Sequence, residues 1–168
     1  MIKTVIFDLG GVYFTDGTTR AVERMSATYG MTAESVRHIL MGDLGTRYRV
    51  GEIGPEEFWE GARIHWGIEV SDEQLSAIWL EAYEPIAGTV RLIDRLAAAG
   101  YELLYLSDNT QDRVDYLEST YRFKYRFVAG VFSHDAGVRK PNPRIYELLL
   151  KKATHPAGAC VYIDDKPA

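Results

Sequence analysis

Residues 2–11 read IKTVIFDLGG, a mostly apolar and β-branched run that is followed by one aspartate and then by two glycines. A run of this composition is typical of a strand that is buried on both faces of a parallel sheet. Gly10 and Gly11 interrupt it, because they permit a tight turn and a close approach of the backbone to a bound group. The stretch therefore predicts an α/β fold whose first strand carries the carboxylate of Asp8 at its carboxyl end.

Three later apolar runs, at residues 101–106, 127–132 and 159–163, predict further strands. Helical patterns separate them, and this alternation predicts a parallel sheet with right-handed crossovers. The carboxyl ends of parallel strands converge on one crevice. We therefore expect the polar residues that follow the strands to meet there, namely Asp8, Ser107, Lys140, Asp164 and Asp165. A carboxylate, a hydroxyl, an ammonium and a pair of acids are the groups that phosphoryl transfer with Mg²⁺ needs.

The region between the first strand and the later ones predicts helices only. The apolar residues in 18–83 recur at helical spacing, and the region predicts about four helices. Gly54-Pro55 is typical of a helix start, because proline fits the first turn. Ser71 and Gln74 have the spacing of a capping box, which indicates another helix start.

This arrangement predicts two structural units. Residues 1–15 and 86–168 are expected to form a Rossmann-like core with a parallel sheet, and residues 16–85 an inserted, all-helical cap. The connections near 13–18 and 83–88 are the expected hinges of such a cap.

The composition excludes several classes of protein. Of the 168 residues, 46% are hydrophobic and 26% are charged, which is ordinary for a soluble globular protein. The net charge of −5 argues against a nucleic-acid partner, because a phosphate backbone requires a basic surface. No apolar run reaches membrane-spanning length, no signal peptide is visible, and Cys160 is a single cysteine with the character of a buried structural thiol. We expect a cytoplasmic protein without a membrane or nucleic-acid partner; the composition indicates no particular oligomeric state.

Four motifs occur in the order of a known family. They are Phe7-Asp8-Leu9-Gly10-Gly11-Val12, Leu106-Ser107-Asp108-Asn109, Arg139-Lys140-Pro141 and Tyr162-Ile163-Asp164-Asp165. On these motifs the chain resembles the haloacid dehalogenase-like (HAD) hydrolase superfamily, in the branch with a helical C1-type cap and a DxGGV form of the first motif. The resemblance spans essentially the whole chain.

The resemblance implies a nucleophile and a metal site. Asp8 would attack phosphorus to give an aspartyl-phosphate, and it would also bind Mg²⁺ together with the carbonyl of Gly10. Asp165 matches the direct metal ligand, whereas Asp164 would act through water. An all-oxygen ligand set of this kind suits Mg²⁺, a hard ion that keeps several waters.

The resemblance also implies how the phosphate is bound. Ser107 would donate a hydrogen bond to the phosphoryl oxygens, and Lys140 would neutralise their charge and position the nucleophile. Backbone N–H groups in two loops would add further donors, from Leu9, Gly10, Asp108 and Asn109. Such positioning and electrostatics supply most of the catalysis of phosphoryl transfer.

Gly10 is a departure from the family pattern. Most phosphatases of the family carry a second aspartate there, which protonates the leaving group and later activates water; such help is worth about 10²–10⁴-fold. Three readings stay open. In the first, the leaving group needs little protonation, as with a sugar-1-phosphate or an acyl phosphate. In the second, another acid such as Asp16 reaches the site. In the third, the protein binds its ligand without turnover.

Two arginines of the cap region, Arg47 and Arg49, could bind an anionic group of the substrate. The alternative is that both are solvated surface charges. The family also usually continues with a helix and at least one further strand after the acidic motif, whereas this sequence stops at Ala168, and whether the chain is truncated there stays open.

The sequence therefore predicts a phosphatase, a Mg²⁺-dependent hydrolase of a small phosphorylated metabolite that acts through an aspartyl-phosphate. A 2-haloacid dehalogenase is one alternative, because such enzymes also lack the second aspartate. They replace the terminal acidic pair, however, so Asp164 and Asp165 favour phosphate over halide. A catalytically impaired phosphate- or metal-binding protein is the other alternative.

Overall fold

The structure, a computed structural model, describes residues 1–166 and contains a four-stranded parallel sheet in the order β3-β2-β1-β4. The strands are β1 (Thr4–Phe7), β2 (Glu102–Ser107), β3 (Ala129–Phe132) and β4 (Cys160–Ile163). Helices surround the sheet, so the predicted α/β fold with a Rossmann-like parallel sheet is confirmed. Pro167 and Ala168 lie outside the described residues.

The strand register brings the predicted polar residues to one edge of the sheet. Phe7 on β1 is paired with Ile163 on β4. Asp8 and Asp164, the residues that directly follow these two strands, therefore lie at the same level. Phe7 is also paired with Tyr105 on β2, which places Ser107 just beyond that level. This register is the reason that residues about 100 or more positions apart can form one site.

All four strands start one or two residues later than the predicted runs, and the difference is two residues for β1 and β3. The strand pairing begins at Thr4, which is paired with both Glu102 and Cys160, the first residues of the neighbouring strands. Ile2 lies outside this pairing and is 39% exposed. β3 begins at Ala129, after the exposed Val128. Both differences arise because strand ends depend on the neighbouring strand and not only on local composition.

Residues 17–80 form five helices, rather than about four. We call this part of the chain the helical insertion. Its helices are α1 (Gly17–Tyr29), α2 (Ala33–Met41), α3 (Asp43–Arg49), α4 (Pro55–Trp66) and α5 (Asp72–Leu80). Gly42 separates α2 from α3, since it is the C-cap of α2. The predicted starts are confirmed, because Pro55 begins α4 and Ser71 forms a capping box with Gln74 at α5.

Four more helices follow. They are α6 (Ala87–Ala98), α7 (Gln111–Tyr121), the single turn α8 (Ser133–Ala136) and α9 (Pro143–Leu150). None of the helices in residues 1–166 is long and apolar enough to cross a membrane.

Hydrophobic packing covers both faces of the sheet. On one face Val5 and Phe7 belong to a large cluster that continues into the helical insertion and includes Trp59 and Trp79. On the other face Ile6 packs in a smaller cluster with residues of β2, β3 and α9, among them Leu104, Val131 and Ile145. Cys160 is half-buried rather than buried, because β4 is at the edge of the sheet.

The two chain segments that enter and leave the helical insertion run side by side. Ile86 N–H donates to the carbonyl of Tyr13 at 2.8 Å, and Thr15 N–H donates to the carbonyl of Glu84 at 2.9 Å. These bonds tie the entry and exit of the insertion together next to the end of β1. That the segments act as hinges stays a prediction.

The largely buried carboxylate of Glu102 joins β1 and β2 to the loop before β4, at the opposite end of the sheet from the polar residues. Glu102 accepts hydrogen bonds from Thr4 Oγ1 at 2.6 Å and from Thr154 N–H at 2.9 Å, and it lies 3.3 Å from His155 Nδ1. Burial alone would raise the pKa of Glu102, but these hydrogen bonds outweigh it and lower the pKa. The ionised form is therefore the one that the fold stabilises.

We predict that Glu102→Gln lowers the free energy of unfolding by about 1–2 kcal/mol at pH 7. Because the folded pKa is lowered, this contribution is present above the ordinary glutamate pKa of about 4.3 and is lost as the pH falls through the lowered value. Urea unfolding at pH 7 and at pH 3 measures the loss of unfolding free energy and its dependence on pH. The exposed Glu60→Gln is the control, and equal effects of the two variants at pH 7 would contradict the prediction.

Candidate active site

A polar pocket opens at the carboxyl edge of the sheet, between the strands and the helical insertion. Its lining residues come from the strand ends, the loops after them and the insertion: Asp8, Gly10, Asp16, Thr18, Met41, Arg49, Tyr83, Ser107, Asp108, Asn109, Arg113, Arg139, Lys140, Asp165 and Lys166. The structure therefore brings most of the predicted site residues into one pocket.

Asp8 is held by both of its carboxylate oxygens. Oδ1 accepts a hydrogen bond from the N–H of Leu9 at 2.7 Å, and Oδ2 lies 2.9 Å from Nζ of Lys140. The residue is only 5% exposed. Burial raises the pKa of Asp8 to about 6, against the opposing effect of the Lys140 charge, so the carboxylate form predominates at pH 7.

Lys140 is the centre of a hydrogen-bond network. Its Nζ donates to Asp164 Oδ2 at 2.8 Å and to the hydroxyl of Tyr162 at 2.8 Å, and that hydroxyl donates to Asp164 Oδ2 at 2.6 Å. Burial would raise the pKa of Asp164, but the bonds from Lys140 and Tyr162 outweigh it and lower the pKa to about 2. One ammonium thus bridges the carboxylates at the ends of β1 and β4.

Three carboxylates could hold one metal ion. Asp8, Asp164 and Asp165 each offer an oxygen, and these oxygens lie within 4.8 Å of one another. Asp165 lines the pocket, whereas the Oδ2 of Asp164 is engaged by Lys140 and Tyr162. A cluster of carboxylate oxygens fits a hard cation such as Mg²⁺.

Gly11, rather than Gly10, is the glycine that the backbone requires. Gly11 has a φ of +81°, and a Cβ at this position would collide with the carboxylate of Asp165. At Gly10 a Cβ would meet nothing closer than a ring carbon of Tyr83 at 4.0 Å. The absence of a side chain at Gly10 therefore has no steric cause.

The loop after β2 carries the predicted phosphate-binding residues. Ser107 and Asn109 line the pocket, and Asp108 accepts a hydrogen bond from the backbone N–H of Lys140 at 3.0 Å. Asn109 N–H donates to Ser133 Oγ at 2.9 Å, and Leu9 N–H is engaged with Asp8. Two of the four predicted backbone donors are therefore used within the chain.

The two arginines of the prediction lie in different places. Arg49 is buried, lines the pocket, and donates to the carbonyls of Leu40 and Gly45. Arg47 is on the surface of the insertion, where it forms ion pairs with Glu52 and Glu57, and it does not line the pocket. The structure thus brings Arg49 to the other site residues and leaves Arg47 outside.

Asp16, the alternative acid, also lines the pocket. Its Oδ1 accepts from the N–H of Thr19 at 3.0 Å and its Oδ2 from the hydroxyl of Thr19 at 2.6 Å, so it is the N-cap of α1. Both oxygens are occupied in a structural role.

Comparison with protein-family models identifies residues 2–168 as a match to the haloacid dehalogenase-like hydrolase family. The chain belongs to this family. Its residues are also 28% identical over 156 positions to an uncharacterized protein of Dictyostelium discoideum, covering 89% of this chain and 66% of that protein. The chain is also 24% identical to the (S)-2-haloacid dehalogenase of Pseudomonas putida, over 96% of this chain and 75% of the dehalogenase. The chain thus spans slightly less than two thirds of the Dictyostelium protein.

Solved structures of HAD proteins share the fold. A HAD family enzyme of Bacteroides thetaiotaomicron, in a variant form in complex with magnesium and inorganic phosphate, matches with a TM-score of 0.82 and 23% identity over 99% of this chain and 86% of that one. L-2-haloacid dehalogenase of Xanthobacter autotrophicus with chloropropionic acid covalently bound matches with a TM-score of 0.68 and 17% identity over 96% and 69%. At these identities the comparison shows agreement of the fold.

Four residues in or beside the pocket of this HAD protein receive no role in the sequence-based prediction, although Tyr162 and Arg139 occur in two of the motifs. Tyr162 precedes the acidic pair by two residues, and the period of a strand places it on the same face as Asp164, which is a signal in the sequence. Arg139 donates to Thr46 Oγ1 at 2.7 Å and so connects the third motif with the insertion. Tyr83 and Arg113 carry no sequence signal, because only packing brings them to the pocket.

Proposed function

We propose that this HAD family hydrolase is a Mg²⁺-dependent phosphatase of small phosphorylated metabolites. The single observation that carries the proposal is the cluster of Asp8, Asp164 and Asp165 within 4.8 Å beside one lysine ammonium. Three carboxylates together repel one another, and a divalent cation compensates them. The Bacteroides enzyme of the same fold was crystallised with magnesium and inorganic phosphate, which supports this choice of ligands.

The fit of the residues to Mg²⁺ follows from their chemistry. Asp8 and Asp165 would hold the ion directly and Asp164 through water, with the Gly10 carbonyl as a further ligand. When bound, the ion would neutralise charge on the phosphoryl oxygens. The free orientation of Asp165 toward the pocket and the engagement of Asp164 by Lys140 agree with this division.

The protein's own residues would perform the transfer in two steps. A carboxylate oxygen of Asp8 attacks phosphorus, the bond from phosphorus to the leaving oxygen breaks, and that oxygen takes a proton from solvent. Water then attacks the aspartyl-phosphate and releases inorganic phosphate and the carboxylate. Lys140 holds the attacking side chain throughout, and Ser107 would donate to the phosphoryl oxygens.

The helical insertion would act as the cap of this site. It contributes Thr18, Met41 and Arg49 to the pocket lining, so the leaving group of a substrate would lie against it. Arg49 would face an anionic or polar part of that group. A pocket closed in this way excludes water from the transfer step.

Phosphate release from a panel of phosphate compounds tests the proposal. The panel contains sugar-1-phosphates, acyl phosphates and alkyl phosphates, each assayed with Mg²⁺ and with EDTA. We expect release that requires the metal and that chelation abolishes. No release from any compound by a folded, full-length protein would contradict the proposal.

A second candidate function is hydrolysis of 2-haloacids. Gly10 and the similarity to the Pseudomonas dehalogenase favour it. Chloride release from 2-chloropropionate without added metal, together with silence on the phosphate panel, would replace the phosphatase by this function.

The open space at Gly10 gives a direct prediction. Gly10→Asp should raise kcat for alkyl phosphates by about 10–100-fold, because an acid there can protonate a poor leaving group. The gain should be much smaller for acyl phosphates, whose leaving groups need little protonation. Steady-state kinetics on both classes measures the difference.

Gly10→Asn is the matched control, because it has the same size and supplies no acid. An equal effect of the two variants would show that the gain does not come from proton transfer. Gly10 is suitable for this test since a Cβ there contacts only Tyr83 at 4.0 Å.

A further inference from the structure

Arg113 is a buried cation with unused donors in the pocket. It lies in the first turns of α7, is only 2% exposed and lines the pocket. Its Nη1 donates to Asn109 Oδ1 at 3.2 Å, but its Nε and Nη2 are buried and have no hydrogen-bond partner among residues 1–166. Burying a guanidinium with free N–H groups is costly unless something pairs with them.

A second buried guanidinium lies nearby. Arg49 is 7% exposed, and burial together with the charge of Arg113 lowers the pKa of Arg49 to about 10. Within the described chain neither arginine forms a salt bridge with a carboxylate. The carboxylate of Asp108 is near Arg49, but it is engaged with Arg139 and with the Lys140 backbone. Two positive charges thus share a pocket without a dedicated counter-ion.

Aromatic rings fix the position of Arg113. Its guanidinium carbon lies 4.0 Å from the ring centre of Trp79 and 5.0 Å from that of Tyr83. Stacking of this kind orients the plane of the guanidinium and leaves its edge for hydrogen bonds. The bond to Asn109 anchors it beside the loop that carries Ser107, next to where the proposed phosphate would bind.

We propose that Arg113, together with Arg49, binds a second oxyanion on the leaving group of the substrate, a carboxylate or a second phosphate. The inference rests on the proposed function, since it treats the first anion as the transferred phosphoryl group. Lys140 and the metal would serve that group, and the arginines would serve the other end of the molecule. The substrate class is then a small phosphate ester that carries a second negative charge.

Matched substrates test this assignment. Carboxymethyl phosphate and carbamoylmethyl phosphate have nearly the same shape, but only the first has a second oxyanion. We expect the wild-type protein with Mg²⁺ to prefer the carboxylate by about 30-fold in kcat/KM, as charge-assisted hydrogen bonds allow. In Arg113→Gln the preference should fall to about threefold or less. The bisphosphate of ethylene glycol is the third substrate, and its rank against the carboxylate identifies which oxyanion the pocket prefers.

The ratio of kcat/KM for the two substrates distinguishes a role of Arg113 in substrate recognition from a purely structural role. A purely structural role of Arg113 would lower both kcat/KM values and leave their ratio unchanged, which would overturn the proposal, as would a wild-type ratio near one. Arg144→Gln changes an exposed arginine and should keep the full ratio. If Arg113→Gln does not fold, Arg113→Lys replaces it, because lysine keeps the charge but lacks the planar fork. A full ratio in that variant would overturn the proposal.

A binding measurement keeps the inference independent of turnover. 3-Phosphonopropanoate and its amide replace the ester oxygen by carbon, so they cannot be hydrolysed. Calorimetric titration of the wild-type protein and of Arg113→Gln with both compounds should give the same loss of preference. If no compound releases phosphate but the binding preference is preserved, the phosphatase is refuted and the oxyanion site is retained. Equal affinities of the wild-type protein for 3-phosphonopropanoate and its amide would refute the site.

Discussion

Asp8→Asn is expected to lower kcat for phosphate release by about 10⁴-fold or more, because the substitution removes the nucleophile. The carboxylate has two acceptor oxygens, which receive Leu9 N–H and Lys140 Nζ. The amide of asparagine offers only one acceptor, so one of these donors must also lose its partner. Steady-state kinetics on the best substrate of the panel measures the loss.

The control for this variant is Asp115→Asn, which makes the same chemical change at an exposed site on α7. It should retain the wild-type rate. Circular dichroism and the unfolding midpoint establish that Asp8→Asn is folded. A folded Asp8→Asn protein with more than a tenth of the wild-type rate would rule out Asp8 as nucleophile.

Lys140→Met should lower kcat by about 10²–10³-fold, because the ammonium both holds Asp8 and stabilises charge on the transferred group. The Lys140 Nζ lies 2.9 Å from Asp8 Oδ2 and 2.8 Å from Asp164 Oδ2, so its loss leaves the buried Asp8 and the half-buried Asp164 without their shared cation. The Lys140 charge lowers the pKa of Asp8 against the larger effect of burial, so removing it should raise that pKa above about 6. The acid limb of the pH–rate profile should therefore move to higher pH.

Rates measured from pH 5 to pH 9 in both proteins check the size of the loss and the direction of the shift. Lys151→Met removes an exposed lysine just after α9, and it should change neither the rate nor the position of the acid limb. An acid limb that stays in place, or moves to lower pH, would show that Lys140 does not control the ionisation of Asp8.

Local sequence predicted the site well where each residue directly follows a strand. Asp8 and Asp164 each follow an apolar run, and parallel pairing of those runs brings their ends together. Ser107 ends β2 for the same reason. The role of each residue in the reaction came from the family resemblance, and it stays a proposal.

Prediction was weaker for residues that reach the pocket through packing. Arg47 and Arg49 are two positions apart on one short helix, and their sequence context does not distinguish them. The turn of the helix points Arg49 inward to Leu40 and Gly45, while Arg47 meets Glu52 and Glu57 on the surface.

Local sequence patterns suffice to predict the α/β class, the order of the strands along the chain and the acidic, hydroxyl and ammonium groups that follow them. These features depend on local composition and on the period of the apolar residues, which act over a few neighbouring positions. Only the three-dimensional packing shows that Gly11 must be glycine while Gly10 need not be, and that Arg113 lies buried in the pocket. Those outcomes depend on contacts between residues far apart in the chain, and no local pattern encodes such contacts.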